Sequence, residues 1–323
     1  MKPAHIARAV AALALVSAAA VHAQAYPARP MRLIVPFPPG GPVDIMGRAV
    51  AAHLWPGGTP PVIVDNRGGA GGNIGVDAAA KAPPDGYTTV ISFVSTLAIS
   101  AALYPKLPYD PARDLAPVAV VGSFPNVIVV HPTLPVKDVK ELVALAKARP
   151  GQITYASSGN GSGGHLCMEL FKTMTGTNFV HVPYKGGGPA LVDVLAGQVQ
   201  VLFTPPVSAT QHVQSGRLRA LAVSTVRRSA GMPDLPTIAE SGVPGYDSGV
   251  WYGVLAPAGT PREIVMRVNG DVVKALQQPD FRTMLIANSI DPIGSSPEVL
   301  AQFIRIEMAK WAKVVRDADV RVD

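Results

Sequence analysis

The fold is decided by the stretch YASSGNGSGGH, residues 155–165. It follows a short β-like run and leads into a segment whose apolar residues Leu166, Leu170 and Met174 recur at helical spacing. A small, polar loop between a strand and a helix directs unpaired backbone N–H groups at one place. Because the start of a helix carries partial positive charge, such a loop holds an anion without a cationic side chain. The stretch therefore predicts an anion site at the end of a strand.

The same order of strand, loop and helix recurs along the chain, which favours a parallel sheet covered by helices on both faces. The predicted strands cover residues 31–37, 62–64, 88–93, 152–155, 179–182, 199–203, 218–223 and 251–256. An extended apolar run over residues 117–130, broken at Phe124-Pro125, is typical of a crossing between domains, and Gly249–Trp251 marks a second crossing. Thr260–Glu263 has the pattern of a capping box, and Ser296-Pro297 opens the last helix.

Two α/β lobes are therefore predicted, since roughly 300 residues exceed what one hydrophobic core usually serves. Lobe 1 is expected to comprise residues 26–125 and 250–323, and lobe 2 residues 126–249. The helices after the second crossing would return to lobe 1.

The first 25 residues have the pattern of a cleaved secretory signal. Lys2 and Arg8 precede the small, apolar run 9–20, and Ala23 or Ala25 ends a small-x-small cleavage motif. A membrane-spanning helix needs about 20 apolar residues, and this run is shorter. The protein is therefore predicted to be exported.

Composition argues against several classes of function. The net charge is +6, but the basic residues are scattered, so nucleic-acid binding is not expected. Cys167 is the only cysteine and the histidines are isolated, which argues against a metal site. The G-x-G-x-x-G pattern at 159–164 lacks an acidic residue at the end of the following strand, and no Gly-Lys-Ser/Thr motif occurs. No cofactor is expected.

The serines of the opening stretch leave an alternative from another class, an exported serine hydrolase acting on a small ester or amide. Its nucleophile would be Ser157, Ser158 or Ser162. The G-x-S-x-G elbow is not met, because Asn160 and Ala156 occupy the first glycine position for Ser162 and Ser158. Hydroxyl groups that cap a helix and donate to a ligand explain these serines without any catalytic machinery.

Glycine-rich or polar loops follow strands in both predicted lobes, where open α/β sheets bind their ligands. These loops are Pro39-Gly40-Gly41, Ser95-Thr96, Ser158–Gly164 and Lys185–Gly188. Two such edges that face each other across a hinge would close on a small ligand.

Several side chains near these loops have two interpretations each. Asp44 either complements a helix dipole or contacts the ligand. Lys185 either meets a carboxylate or is a solvated surface lysine. Trp251 and Tyr252 fit hinge packing as well as a pocket wall.

Several motifs resemble the Bug proteins, the extracytoplasmic solute receptors of tripartite tricarboxylate transporters. The matching segments are 29–44 (RPMRLIVPFPPGGPVD), 64–75 (VDNRGGAGGNIG), 84–88 (PDGYT), 155–165, 182–186 (VPYKG), 218–223 (LRALAV), 236–240 (PTIAE) and 255–261 (LAPAGTP). They occur in order from near residue 26 to the C-terminal region, so the resemblance covers nearly the whole predicted mature chain.

The resemblance implies a type II periplasmic binding protein fold, with two α/β lobes joined by a hinge as in a Venus flytrap. It also implies a receptor that binds a small carboxylate without catalysis and delivers it to membrane transporter subunits or a sensor. We expect a periplasmic monomer. The ligand contacts implied by the resemblance are Phe37, Pro39, Gly40, Gly41, Asp44, Ser157, Ser158, Gly159, Asn160, Gly161 and His165. From the loops at strand ends we add Ser95, Thr96, Lys185, Gly186 and Thr204.

One position departs from the family pattern. Many relatives carry an Asp directly after the strand that ends at Phe203, where this chain has Thr204. An acid there would accept a hydrogen bond from an ammonium group. Its absence predicts a plain carboxylate ligand over an amino acid.

Overall fold

The computed structural model describes residues 26–54 and 60–321, so the predicted signal peptide, residues 1–25, lies outside the described residues. Within those two ranges the strands form one six-stranded and one five-stranded sheet. In chain order the strands are β1 (Met31–Val35), β2 (Val62–Asn66), β3 (Thr88–Phe93), β4 (Leu115–Phe124), β5 (Val127–Val130), β6 (Ile153–Ser157), β7 (Phe179–Pro183), β8 (Val201–Thr204), β9 (Arg219–Val223), β10 (Val250–Pro257) and β11 (Asp291–Pro292).

Helices flank both sheets. They are α1 (Pro42–Leu54), α2 (Asn73–Ala80), α3 (Ser100–Leu103), α4 (Val139–Ala148), α5 (Gly163–Thr175), α6 (Gly187–Leu195), α7 (Pro206–Gln214), α8 (Arg262–Ala275), α9 (Pro279–Ala287) and α10 (Pro297–Asp317). A 3₁₀ turn covers Ala70–Gly72, and a π-helical turn covers Ser95–Ile99. The predicted α/β class is thereby confirmed.

The six-stranded sheet has the order β11-β4-β10-β3-β1-β2. Strands β1, β2 and β3 are parallel, whereas β10 runs antiparallel to both β3 and β4. The carboxyl ends of β1, β3 and β4 therefore lie at the same edge of the sheet as the amino end of β10. The predicted return strand is thus inserted between two strands that precede it by more than 100 residues.

The five-stranded sheet has the order β7-β6-β8-β5-β9. Strands β6, β7 and β8 are parallel, and β5 is antiparallel to β8 and β9. The carboxyl ends of β6 to β9 therefore share one edge with the amino end of β5. Only Pro125 and Asn126 separate β4 from β5. This short crossing connects the loop-bearing edge of the first sheet to that of the second.

The two crossings between the sheets are hydrogen-bonded to each other through Ser224, which directly follows β9. Its hydroxyl oxygen accepts from the Asn126 N–H at 2.9 Å, and its carbonyl accepts from the Ser248 N–H at 2.9 Å. The Ser224 hydroxyl also donates to the Ser248 carbonyl at 3.3 Å. The crossings therefore form one joint rather than two independent strands.

The C-terminal helices pack mainly on the first sheet. Helix α8 packs on β4 and α1, and α10 packs on β4 and α3. Helix α10 also touches α5 beside the second sheet, and the Lys310 ammonium donates to the Asp247 carbonyl at 3.0 Å. The predicted start at Ser296 is confirmed, since its hydroxyl accepts from the Val299 N–H at 3.4 Å.

The predicted capping box at Thr260–Glu263 is wrong. Pro261 occupies the cap position of α8, with no side-chain cap. The Thr260 hydroxyl instead donates to the Pro257 carbonyl at 2.8 Å, which closes the turn after β10. The hydroxyl thus joins the Thr260 N–H, which donates to the same carbonyl at 3.3 Å, in closing the turn before the helix.

Gly72 shows how closely the backbone approaches the site. Its φ of 98° lies in the left-handed region. A Cβ there would lie 2.8 Å from Phe37 Cζ and 2.9 Å from Thr96 Cγ2. The loop after β2 is therefore packed directly against residues at the ends of β1 and β3.

We expect Gly72→Ala to lower the free energy of unfolding by about 2 kcal/mol or more, because both backbone strain and steric overlap oppose it. Gly270→Ala in α8 is the matched control, since a Cβ there meets nothing within 4 Å. It should raise stability by about 0.5–1 kcal/mol. Urea denaturation measures both. Equal midpoints for the two variants would contradict the packing described for Gly72.

Candidate functional site

The loop after β1 is held in place by the Asp44 carboxylate, which is 2% exposed. Its Oδ2 accepts from the Gly40 N–H at 2.8 Å and from Arg48 Nε at 2.9 Å. Its Oδ1 accepts from Asn66 Nδ2 at 2.8 Å, and the same amide donates to the Phe37 carbonyl at 3.0 Å. The carboxylate thus ties the glycine loop to α1 and to the end of β2.

Burial by itself would raise the pKa of Asp44. Hydrogen bonds from Arg48, Gly40 and Asn66 outweigh burial and lower this pKa to about 2. Asp44 is therefore an anion under ordinary conditions, and both of its oxygens already have donors. This favours a role in positioning the loop over direct contact with an anionic ligand.

The loop after β6 is held by histidines. The Ser157 hydroxyl is hydrogen-bonded to His181 Nε2 at 2.6 Å, and its oxygen accepts from the Gly159 N–H at 3.1 Å. The Gly161 N–H donates to His165 Nδ1 at 3.0 Å. The Ser162 hydroxyl caps α5 by accepting from the His165 N–H at 3.4 Å. The amides of Gly159 and Gly161 are consequently used within the loop itself.

Three aromatic rings are stacked behind this loop. The His165 and His181 rings lie 3.9 Å apart at 9°, and Tyr155 stacks on His181 at 4.7 Å. The Tyr155 hydroxyl donates to Glu169 Oε1 at 2.5 Å, and Lys172 Nζ lies 2.8 Å from the same oxygen. Each group beneath the loop is thereby fixed by at least one neighbour.

Both histidines are held in the neutral form. Burial lowers the pKa of His165. Burial, followed by the proximity of His165, lowers the pKa of His181 to about 4. A neutral imidazole at His165 has a free lone pair on Nδ1, which is what the Gly161 N–H requires.

Some backbone N–H groups at the two edges have no hydrogen-bond partner among the described residues. In the second loop these are the amides of Ser158, Asn160, Gly163 and Gly164, and in the first loop the amide of Gly41. The segment 158–164 is partly or fully exposed. Gly163 and Gly164 are the first residues of α5, where the helix dipole adds positive potential.

The remaining predicted residues lie at the same two edges. Ser95 and Thr96 follow β3, and the Thr96 hydroxyl contacts Ser92 and donates to the Phe93 carbonyl at 3.2 Å. Thr204 ends β8 and is 6% exposed. Lys185 is exposed and Gly186 precedes α6 with a φ of 115°. Pro39 is exposed between Phe37 and Gly40.

The serine hydrolase alternative is not supported. Ser157 has a histidine partner, but it is fully buried and its oxygen already accepts from a backbone amide. Ser162 is engaged as a helix cap. Ser158 is exposed and has no hydrogen-bonded histidine among the described residues. None of the three serines has the accessible serine–histidine pair that nucleophilic attack requires.

Sequence reasoning missed His181 and Glu169 as supports of the second loop. Both lie inside regular elements, β7 and α5, where polar residues are usually placed at the surface. The available signal was a histidine in the predicted strand 179–182. In the structure His181 lies beside β6, where its register partner is Tyr155.

The described residues contain no group of three or more His, Cys, Asp or Glu side chains placed to hold a metal ion. Over the same residues, none of the helices combines the length and apolar character needed to cross a bilayer.

Comparisons with known proteins point to one family. A family model described as the tripartite tricarboxylate transporter family receptor matches residues 47–320. Protein BugT of Bordetella pertussis is 42% identical over 306 residues, which is 94% of each chain.

Two solved structures are similar along nearly their whole length. Rpa4515 of R. palustris, solved with adipate, is 39% identical with a TM-score of 0.76, covering 92% of this chain and 99% of that one. MatC from Rhodopseudomonas palustris, solved with bound malate, is 33% identical with a TM-score of 0.72, covering 90% and 100%.

We expect Asp44→Asn to lower the free energy of unfolding by about 2–4 kcal/mol, because an amide cannot accept from Gly40, Arg48 and Asn66 together. The control is Asp317→Asn, which removes an exposed ion-pair partner of Lys313 on α10. It should change stability by less than about 1 kcal/mol. Equal effects in urea denaturation would refute the positioning role.

We expect His181 to make the protein less stable in acid. Its pKa in the folded protein, about 4, lies below the ordinary 6.5, so between these pH values the unfolded chain takes up the proton first. The free energy of unfolding should fall as pH decreases through that window, and less steeply in His181→Gln.

Melting temperatures of the two proteins from pH 7 to pH 4 measure this difference. His212→Gln, on α7, is the control that also removes one histidine but leaves the cluster intact. Identical pH profiles for wild type and His181→Gln would show that His181 does not cause the loss of stability in acid.

Proposed function

The chain belongs to the tripartite tricarboxylate transporter receptor family, and we propose that it is a solute receptor that captures a small carboxylate between its two lobes. The proposal rests chiefly on the unpartnered amides of Ser158, Asn160, Gly163 and Gly164, which lie on an edge that the crossings bring towards Gly41. Backbone donors at a helix start suit a carboxylate, which accepts several hydrogen bonds.

The relatives support the same ligand class. Rpa4515 was solved with adipate and MatC with malate, and both are carboxylates. The family is one of solute-binding receptors and is not an enzyme family. For this chain we accordingly propose binding without turnover, with the ligand released unchanged.

Capture would proceed in two stages. A carboxylate first replaces water at the amides of one loop. The lobes, which we take as residues 26–125 with 250–323 and residues 126–249, then close about the joint at Ser224. Closure removes the charge from solvent, where each hydrogen bond is stronger.

The rest of the predicted site would complete this arrangement. Pro39 and Phe37 shape the first loop, Asp44 orients Gly40, and His165 orients Gly161. Ser95 and Thr204 have no hydrogen-bond partner among the described residues for their hydroxyl groups, and Lys185 has none for its ammonium. These groups would meet the ligand or its bound water on closure.

Receptors of this family are periplasmic. For this chain we propose export through residues 1–25, with cleavage after Ala23 or Ala25. The closed form, a monomer, would then be recognised by membrane transporter subunits or by a sensor.

A pair of substitutions at Gly163 tests the proposal. Pro is favourable at the first position of a helix, and Ser162 has φ −66° and ψ 159°, which a following Pro accepts. A Cβ at Gly163 meets nothing within 4 Å. Gly163→Pro therefore removes one amide N–H, while Gly163→Ala keeps it.

Calorimetry against mono- and dicarboxylates should find at least one ligand that is recovered unchanged. Gly163→Pro should weaken its binding about tenfold or more, because a hydrogen bond to a charged group is lost, and Gly163→Ala should stay within about twofold. Both variants must melt like the wild type without ligand. Equal affinities for the two variants, or no carboxylate binding by the wild type, would overturn the proposal.

A further inference from the structure

An apolar cavity of about 440 Å³ opens beside the first loop. Its main lining residues are Phe37, Pro38, Val43, Phe93, Phe124 and Tyr252. Small-molecule sites typically enclose about 300–1,000 Å³ and are largely apolar, so this cavity has the size and character of a ligand pocket.

The four aromatic rings come from four neighbouring strands. Phe124 ends β4, Tyr252 lies at the start of β10, Phe93 ends β3, and Phe37 follows β1, which is the order of these strands in the sheet. Tyr252 and Phe93 are direct register partners. The rings therefore form a continuous wall along the same sheet edge that carries the Gly41 amide.

The rings contact one another in a tilted arrangement. Their centroid separations are 5.4 Å for Phe37–Phe93, 6.4 Å for Phe93–Tyr252 and 5.3 Å for Phe124–Tyr252, with interplanar angles of 56°, 51° and 31°. Such a wall presents both ring faces and ring edges. Another ring placed against it makes edge-to-face and offset contacts that an alkyl chain cannot make.

No charged side chain lines the cavity within the described ranges. The nearby Asp44 carboxylate is already saturated by Gly40, Arg48 and Asn66. A second charge on the ligand would lose its hydration here without gaining a charged partner. The cavity therefore disfavours diacids and amino acids relative to a ligand with one charge.

Tyr252 adds one polar atom to this wall. The residue is 2% exposed, and its hydroxyl has no hydrogen-bond partner among the described residues. Burial raises the pKa of this phenol, so it stays neutral and is able to donate. A hydroxyl without a partner in the protein is suited to a polar atom of the ligand.

We propose that the ligand is an aromatic monocarboxylate of the benzoate type, with its ring in the cavity lined by Phe37, Phe93, Phe124 and Tyr252. The carboxylate would reach the unpartnered amides of the two loops, and Tyr252 would bind a hydroxyl substituent on the ring. This inference rests on the proposed function and narrows its ligand class.

Calorimetry on the mature chain with benzoate, hexanoate, adipate and malate tests the ring and the charge. Benzoate should bind about tenfold more tightly than each of the other three, since it alone combines a ring with a single charge. Phe37→Leu should remove most of this preference. Phe281→Leu, which trims a buried ring between α9 and α1, should retain it.

The three monohydroxybenzoates test Tyr252. One isomer should bind more tightly than benzoate and lose that advantage in Tyr252→Phe, which keeps the ring. Tyr26→Phe, whose hydroxyl donates to the Gly86 carbonyl away from the cavity, should keep it. If no isomer gains affinity, the assignment of Tyr252 is overturned.

The outcomes separate this inference from the proposed function. Tighter binding of malate or adipate than of benzoate would overturn the aromatic ligand and leave the carboxylate receptor standing. Tighter binding of hexanoate than of benzoate would overturn the aromatic ligand and indicate an alkyl carboxylate instead. Binding of uncharged benzyl alcohol as tightly as benzoate, or of no carboxylate at all, would overturn the receptor proposal itself.

Discussion

The crossing between the sheets is the constraint on which the other features depend. Pro125 and Asn126 leave no slack between β4 and β5, and Ser224 ties this crossing to Ser248 in the other. A sheet edge with free loop amides is common in α/β proteins. Here two such edges are joined by crossings that are hydrogen-bonded to each other, which is the arrangement that the proposed capture between lobes requires.

Each loop is stabilised from behind by polar groups that do not face the cleft. Asp44 orients the first loop, and the stacked pair His165 and His181 orients the second. Asp44 accepts from the Gly40 amide and His165 from the Gly161 amide, while the Ser157 hydroxyl, which is hydrogen-bonded to His181, accepts from the Gly159 amide. The amides left over are therefore fixed before a ligand arrives, which reduces the conformational entropy lost on binding.

Much of the fold could be predicted from sequence because most strands are short apolar runs that are separated by loops rich in proline, glycine or small polar residues. The loop 155–165 and a strand near 251–256 follow from that pattern, whereas the place of β10 between β4 and β3 does not. The support network could not be predicted, because it joins His181 in β7 to Ser157 in β6 through sheet register. The same holds for the aromatic wall, whose members at 37, 93, 124 and 252 become neighbours only through strand order. The capping motif at Thr260 failed for a local reason, since a nearer carbonyl competed for its hydroxyl.

The placement of β10 also affects the order in which the two sheets can fold. The five-stranded sheet is built from the continuous segment 127–223, whereas the six-stranded sheet lacks its central strand until residue 257 is available. Contacts between distant segments form slowly because a long loop must first close. The N-terminal strands of a partly emerged chain thus have an unpaired edge at β3, which is prone to wrong pairing. The lobe that begins the sequence is consequently the last to be completed, and the ligand cleft appears only once the C-terminal third of the chain has joined it.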